Sequence, residues 1–234
     1  MKIIVFSDIH GNSYALDEFL LQINKISYDH IIFCGDIFGY YYNQKEVIEK
    51  LNKIHDLIWL KGNHDDFFLR AYQNPDIEKD YIEKYGHSYE KIQEKFSADV
   101  YTLINNKPSH YILHDNSCEI AFFHGTPNNV IDGRLYPNNE ILCASDYTKY
   151  DIVVLGHTHF RMMRNVGNTL VMNPGSLGQP RDGKGYSYAV LDTETKNVEF
   201  KNITFDESLL YRQIDMYDKE LTKLKDVLER RYTY

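Results

Sequence analysis

The sequence predicts an α/β fold whose strands form a mixed sheet, or two sheets packed face to face. Short apolar runs that stop at polar residues or glycine recur along the chain, as buried strands do. Helical spacing separates the first of them, giving strand–helix–strand–helix–strand in the first 60 residues, the signature of a largely parallel sheet. A later pair of runs, 186–191 and 198–203, flanks Asp192-Thr193-Glu194-Thr195-Lys196-Asn197 and reads as a hairpin.

In chain order, strands are expected over 2–6, 30–34, 57–60, 119–123, 152–155 and 169–172. Leu16, Phe19, Leu20 and Ile23 carry the 3–4 spacing of an amphipathic helix, which Asn12-Ser13 can cap. Val47, Ile48, Leu51 and Ile54 repeat it. The stretch 66–110 is polar, helical in flavour and rich in tyrosine (Tyr72, Tyr81, Tyr85, Tyr89, Tyr101), with a break near Gly86; it reads as a helical insertion or cap. From 206 to 231 there is no Gly or Pro, and Leu210, Ile214, Tyr217, Leu221, Leu224 and Leu228 step by 4, 3, 4, 3, 4. That seam belongs to a C-terminal helix docked on its own domain or forming a homodimer contact. Without repeats, low-complexity tracts or linkers, 1–234 is one domain.

Composition narrows the class. With 43% hydrophobic and 26% charged residues, the chain is globular, not disordered, collagen-like or purely coiled-coil. Thirty-four acids against 26 Lys and Arg, a formal charge of -8, argue against a grip on long nucleic acid, and no basic stripe suits a membrane surface. Ile3-Ile4-Val5-Phe6 is too short for a signal-peptide core, and no apolar run approaches the roughly 20 residues of a membrane span. Cys34, Cys118 and Cys143 match neither a disulfide framework nor a paired-cysteine zinc site, so buried, reduced thiols in the cytoplasm are expected.

Histidine is the unusual residue, at ten copies, and half of them follow strand ends. The loops read Asp8-Ile9-His10-Gly11-Asn12, Gly35-Asp36, Gly62-Asn63-His64-Asp65, His124-Gly125 and Gly156-His157-Thr158-His159. In open α/β sheets ligands bind beyond the carboxyl ends of strands, so five loops can aim at one point. Carboxylate, imidazole and amide oxygen without thiolate favour manganese, iron or zinc. Asp8-x-His10 and His157-x-His159 have alternate spacing, which in extended backbone leans both side chains of each pair to one side. Seven candidate ligands exceed what one tetrahedral ion needs; two divalent metals sharing a bridging carboxylate use them economically.

In this order the motifs resemble those of the calcineurin-like metallophosphoesterase superfamily, from about Lys2 to Asp192. More narrowly, residues 35–40, 61–65 and Asn173-Pro174-Gly175-Ser176-Leu177-Gly178-Gln179-Pro180-Arg181 are similar to its small bacterial and archaeal phosphodiesterase branch. That branch includes enzymes resembling asymmetric diadenosine tetraphosphate hydrolases. The resemblance implies two packed mixed sheets flanked by helices. It also implies that Asp8, His10 and His159 hold one metal and that Asn63, His124 and His157 hold the other. Asp36 then bridges, and His64 is the catalytic histidine beside the metals. The Ser/Thr protein phosphatase branch has Asp-Arg-Gly after its Gly-Asp and Arg before Gly-Asn-His; Ile37-Phe38-Gly39 and Lys61 stand here instead.

The expected chemistry is metal-activated hydroxide attack on a small phosphodiester or nucleotide, extending to a dinucleoside polyphosphate. His64, polarised by a carboxylate such as Asp65 or by a backbone carbonyl, would protonate the leaving oxygen. Asp65 reads equally well as a surface residue opening the next helix and is left out of the site. Asn12 and Arg181 are candidate phosphate contacts, with Arg134 in another loop behind them, and the tyrosines at 40–42 and in the insertion are candidate stacking surfaces. About +4 from two metals would draw a small anion despite the net charge. The alternatives are a phosphomonoesterase, which shares every ligand, and a non-catalytic scaffold, as in the retromer subunit that resembles these enzymes.

Overall fold

Ile3 and Val5 belong to one buried cluster and Ile4 and Phe6 to another, and none of the four is exposed. Side chains alternate across a strand, so β1 (Lys2–Phe6) is covered on both faces. The computed structural model describes residues 1–93, 98–115, 118–141 and 143–229 and places that strand at the centre of a sheet. The chain continues through α1 (Ser13–Ile23), β2 (His30–Phe33), α2 (Gln44–Leu51) and β3 (Leu57–Trp59). Helices α3 (Asn63–Gln73), α4 (Pro75–Tyr85), α5 (Ser88–Gln93) and α6 (Ala98–Asn105) follow. Then come β4 (His110–Asp115), β5 (Cys118–Phe123), α7 (Ala144–Tyr147), β6 (Ile152–Val154), β7 (Arg161–Val166) and β8 (Thr169–Pro174). The hairpin β9 (Ser187–Asp192) and β10 (Asn197–Asn202) precedes α8 (Ser208–Tyr217) and α9 (Lys223–Glu229).

Two mixed five-stranded sheets result, in the orders β10-β9-β1-β2-β3 and β4-β5-β6-β8-β7. In the first, β1, β2 and β3 are parallel, with Ile4 opposite Ile31 and Ile32 opposite Ile58, while β9 and β10 join antiparallel. In the second, β5, β6 and β8 are parallel between antiparallel edges β4 and β7. The inner faces meet: Ile3, Val5, Ile32 and Leu60 share a cluster with Ile120, Phe122, Val154 and Met172. Each such side chain contributes roughly 1.5–3 kcal/mol by leaving water. Outside the first sheet, Phe6 and Phe33 meet Phe19, Val47 and Phe68 of the helices; outside the second lie Leu135 and Tyr147. The parallel strands therefore deliver their carboxyl ends to one rim.

Strands β4 and β7 are absent from the sequence expectation. Both are edge strands whose side chains, Met162 and Val166 of β7 apart, are exposed or half-buried, and edges tolerate polar residues that erase the apolar run. The insertion is helical as expected, and its Tyr81, Tyr89 and Ile104 extend the cluster under the first sheet. The single helix expected over 206–231 is instead two, interrupted after Tyr217; residues 230–231 lie outside the described residues. Asp218 ends α8 and turns its carboxylate to the Tyr42 hydroxyl (2.9 Å) and the His87 N–H (3.0 Å). Both helices still present the seam. Leu210, Ile214, Leu224 and Leu228 are buried against Tyr41 and Tyr42 of this chain, so the seam is not left open for a second copy.

Of the three cysteines, all free, only Cys34 is buried; Cys118 is half-buried and Cys143 exposed, against the expectation for all three. Among the described residues, no helix is long and apolar enough to cross a membrane.

Candidate metal centre

The loops at the rim are tied to one another through their backbones. Asp8 N–H donates to the Gly35 carbonyl (2.9 Å), His10 N–H to the Asp36 carbonyl (3.1 Å), Gly178 N–H to the Asp8 carbonyl (2.9 Å) and Gly156 N–H to the His124 carbonyl (2.9 Å). The Asn173-Pro174-Gly175-Ser176 run locks this arrangement. Asn173 Nδ2 donates to the Gly156 carbonyl (2.6 Å), and Ser176 Oγ to the Asp8 carbonyl (2.8 Å). Asp8, His10, Asp36, His124, His157 and His159 are consequently all buried, with Asn63 half-buried beside them.

The alternate-spacing argument predicts convergence of each pair from extended backbone, and the backbone is not extended. Asp8, His10, Asp36, His157 and His159 all have positive φ, between 51° and 71°. For residues with a Cβ, this left-handed region costs roughly 1–2 kcal/mol each. Strain concentrated on prospective ligands marks a site over-determined by its surroundings.

Ligand atoms gather into two half-sites, overlapped by a third group of His10, Asp36 and His64. Asp8, His10 and His159 offer atoms within 4.8 Å of one another, as do Asp36, His124 and His157. Asp36 joins the two: its Oδ2 lies 3.9 Å from His10 Nε2 and 3.3 Å from His124 Nε2, while its Oδ1 accepts the His64 N–H (2.8 Å). Asn63 Oδ1 completes the second group, 2.9 Å from His124 Nε2.

The histidine hydrogen bonds fix which nitrogens face inward. His10 Nδ1 lies 2.7 Å from the Phe38 carbonyl, His124 Nδ1 2.7 Å from the Cys34 carbonyl and His159 Nδ1 2.6 Å from the Gln179 carbonyl. A carbonyl only accepts, so each Nδ1 carries a proton, and the neutral rings of His10 and His159 each point a bare Nε2 lone pair at the centre. His10 Nε2 and His159 Nε2 then face each other at 3.1 Å, lone pair to lone pair. Asp8 Oδ1, 3.2 Å from His159 Nε2, is buried without a hydrogen-bond partner. A cation resolves all of these contacts together, so the residues fit divalent metal.

The electrostatics carry the same conflict. Burial lowers the pKa of His10, helped by His159, and also lowers that of His159. Burial and the neighbouring His124 bring His157 to about 3. Burial pushes Asp36 up to about 7 against the pull of His124. For His124, burial opposes the charged form, but Asp36 outweighs it and carries the ring to about 9. Burial would also raise Asp8, yet His159, His124 and His10 hold it well below the carboxylate range. Bare carboxylates thus draw a proton onto His124, which a metal ligand must give up.

His64 sits in the first turn of α3, with its ring 4.7 Å from that of His10 and 5.1 Å from that of Tyr85. Its Nδ1 is buried without a hydrogen-bond partner, so neither Asp65 nor a carbonyl polarises it, contrary to the sequence expectation. Gly39, at φ 80°, leaves the space: a Cβ there would collide with His64 Nδ1. Burial first, and then His10 and His159, hold His64 well below its usual pKa.

Asp65 is the functional residue that sequence reasoning missed. It is fully buried, and its carboxylate accepts N–H groups from Gly62 (2.9 Å), Asp36 (3.0 Å) and Ile37 (2.8 Å). It pins the loop bearing Asn63 and His64 to the loop bearing Asp36. The signal was its position three residues after the helix cap, where an acidic side chain reaches back to the backbone. Asp65→Ala leaves these donors and the Phe38 N–H, a fourth at 3.4 Å, unanswered and is expected to destabilise the fold by about 3 kcal/mol or more. Urea unfolding with an unchanged m-value checks this; an unmoved midpoint would show that water replaces the carboxylate.

The other expected contacts divide. Asn12 is fully buried: its Oδ1 caps α1 at the Ala15 N–H (3.0 Å) and its Nδ2 donates to the Gly178 carbonyl (3.0 Å). The geometry gives Asn12 a capping and loop-tying role instead of an open donor. Arg181 does border the centre, donating to Gln179 Oε1 (2.8 Å) and to the Tyr40 hydroxyl (3.1 Å). Of the tyrosines, Tyr41, Tyr42, Tyr81 and Tyr89 are core, whereas half-buried Tyr40 and Tyr85 flank His64. Arg134 Nε donates to His157 Nε2 at 2.9 Å.

This geometry agrees with what the chain is similar to. It is 29% identical over 233 residues to the uncharacterised protein MJ0912 of Methanocaldococcus jannaschii, covering 91% of each. It is 22% identical to the phosphodiesterase YfcE of Escherichia coli K12, covering 90% of this chain and 96% of that one. The crystal structure of the hypothetical protein PH1004 from Pyrococcus horikoshii superposes with a TM-score of 0.77 at 21% identity, over 99% of this chain and 98% of that one. The model of the calcineurin-like phosphoesterase superfamily domain matches residues 1–196. With that match spanning β1 to β9 and every loop of the centre, the chain belongs to the calcineurin-like phosphoesterase superfamily.

Proposed function

We propose that this protein is a two-metal phosphodiesterase acting on small phosphorylated substrates. In this reading Asp8, His10 and His159 hold one ion, Asn63, His124 and His157 hold the other, and Asp36 bridges them. The observation that carries it is the buried convergence of lone pairs, above all His10 Nε2 against His159 Nε2 at 3.1 Å. The phosphodiesterase name of the Escherichia coli relative supports the diester class. The thiolate-free donor set suits manganese, with iron or zinc as alternatives.

Bound there, two divalent ions supply Lewis acidity toward a phosphoryl oxygen and acidify water into a nucleophile. The chain's own residues do the rest. Asp65 holds the Asp36 and Asn63–His64 loops in register. Arg181 pairs with a further phosphate oxygen on the His10 and His159 side. An anionic diester beside His64 raises the proton affinity of that ring, which a proton donor to the leaving oxygen requires. Tyr40 and Tyr85 offer the leaving group an aromatic wall, which supports a nucleotide-like substrate and, more finely, a dinucleoside polyphosphate. We read 1–234 as one domain, because the core under the first sheet runs into the insertion.

The scaffold alternative has no observation in its favour: every ligand position and His64 hold the residues that the chemistry needs. Purified protein loaded with manganese, zinc or iron is tested on bis-p-nitrophenyl phosphate, p-nitrophenyl phosphate, mononucleotides and dinucleoside tetraphosphates. Diester and anhydride turnover above monoester turnover is expected. No turnover of any substrate by protein carrying two ions would sink the enzyme reading; faster monoester turnover would make it a phosphomonoesterase.

A further inference from the structure

Arg134 lies in the loop between β5 and α7, which is built to return to the centre. Thr126 and Asn129 pair as a two-residue bridge, Gly133 N–H donates to the Asn129 carbonyl (3.0 Å), and Leu135 is buried in the cluster outside the second sheet. Between these anchors Arg134 is exposed, yet its Nε–H reaches back to His157 Nε2 at 2.9 Å. Among the described residues, this is the one hydrogen bond of Arg134, and the side chain forms no ion pair there.

A neutral imidazole has a single lone pair in its plane. Arg134 occupies that lone pair on His157. A metal ion needs the same lone pair. If the ion binds Nε2, the acceptor of Arg134 is gone. If it binds Nδ1, Nε2 becomes an N–H and faces the Nε–H of Arg134, donor against donor. Either way, the ion and Arg134 cannot use His157 together.

We propose that Arg134 is a substrate-binding arginine whose release is coupled to metal loading: an ion on the Asp36–Asn63–His124–His157 half-site displaces the guanidinium from His157 and presents it to phosphate oxygens at that half-site. This rests on the two-metal reading above and adds a specificity element to it. Arg181 flanks the opposite half-site through Tyr40 and Gln179, so the loaded centre carries a guanidinium on each side. That arrangement selects a substrate with anionic oxygens on both flanks of the scissile phosphorus, a phosphate chain more than a simple diester. A planar, bidentate guanidinium on an anchored loop suits the task.

Calorimetry on ion-free and manganese-loaded protein, with manganese and inorganic phosphate as probes, tests the coupling without relying on turnover. Arg134→Ala removes the competitor: one of the two manganese steps is expected to tighten by about three- to tenfold. Phosphate should bind the loaded variant about tenfold more weakly than the loaded wild type. Arg134→Lys keeps the charge and loses the Nε–H, so it should keep the tightened manganese step while regaining part of the phosphate affinity. Three results would overturn the proposal: an unmoved manganese step in Arg134→Ala, equal phosphate affinity in wild type and Arg134→Ala, or wild-type manganese binding by Arg134→Lys, which would reduce the effect to charge repulsion. Failure of the hydrolysis panel would remove the enzyme reading and leave these binding results to stand or fall separately.

Discussion

Asp36→Asn is expected to abolish two-ion binding while leaving the ion-free fold as stable as the wild type or more so. The replacement has the same shape, and its carbonyl can still accept the His64 N–H that Asp36 Oδ1 accepts at 2.8 Å. What disappears is a buried carboxylate that burial already pushes up to about 7. Without that carboxylate the paired His124 reverts to its neutral form, so the apo protein sheds a buried ion pair and leaves no unpaired charge. The loaded protein loses the one oxygen aimed at both half-sites. Several kcal/mol of transition-state stabilisation depend on the ions, so turnover should fall by about three orders of magnitude or more. Excess manganese, at about a thousandfold over its dissociation constant, should raise the wild-type melting temperature by roughly 10 °C and the variant's far less. Metal analysis and paired melting curves read both effects. A variant that still takes up two ions and melts like the loaded wild type would exclude Asp36 as the bridge.

The contrast between what the sequence made visible and what it hid follows from where information resides. The central strands were legible because a strand covered on both faces needs an unbroken apolar run, and 3–6, 31–33 and 152–154 are such runs. Their ends were legible as sites because Asp8, His10, Asp36, His124, His157 and His159 are polar side chains where a core requires apolar ones. The partners that orient those side chains were not legible. His10, His124 and His159 are held by the carbonyls of Phe38, Cys34 and Gln179, and every residue has a carbonyl. The left-handed backbone at five of the ligands was hidden for a related reason: glycine announces it strongly, whereas Asp and His adopt it more often than most residues but far more often do not. Asp65 was misread because an acid at the start of a helix is ordinarily solvated, and only the fold reveals the backbone donors crowded around it. The C-terminal seam kept its period through a break because both short helices lie on the same Tyr41–Tyr42 surface; spacing records which face is buried, not whether the backbone is continuous.

His64→Ala is expected to separate chemistry from metal binding. His64 donates none of the lone pairs that converge between His10 and His159, and its Nδ1 has no hydrogen-bond partner to lose. Its backbone N–H to Asp36 survives any side-chain change, so the bridge stays in place and metal content should match the wild type. Proton transfer to a leaving oxygen is worth about 10²–10⁴ in rate, and that is the expected fall in turnover on a nucleotide or alkyl diester. The loss should depend on the leaving group. A p-nitrophenolate departs with little help and should lose less; an alkoxide needs its proton and should lose the full factor. Crowding at the site sharpens the comparison, since the ring fills a slot between His10, Tyr40, Tyr85 and the Cα of Gly39. If that packing were the only contribution of His64, both leaving groups would suffer alike and the ions would bind more weakly. Equal losses together with reduced metal content would therefore assign His64 to structure, and undiminished turnover of the alkyl diester would remove it from the reaction. A leaving-group-dependent loss at full metal occupancy is the outcome that only a proton donor produces.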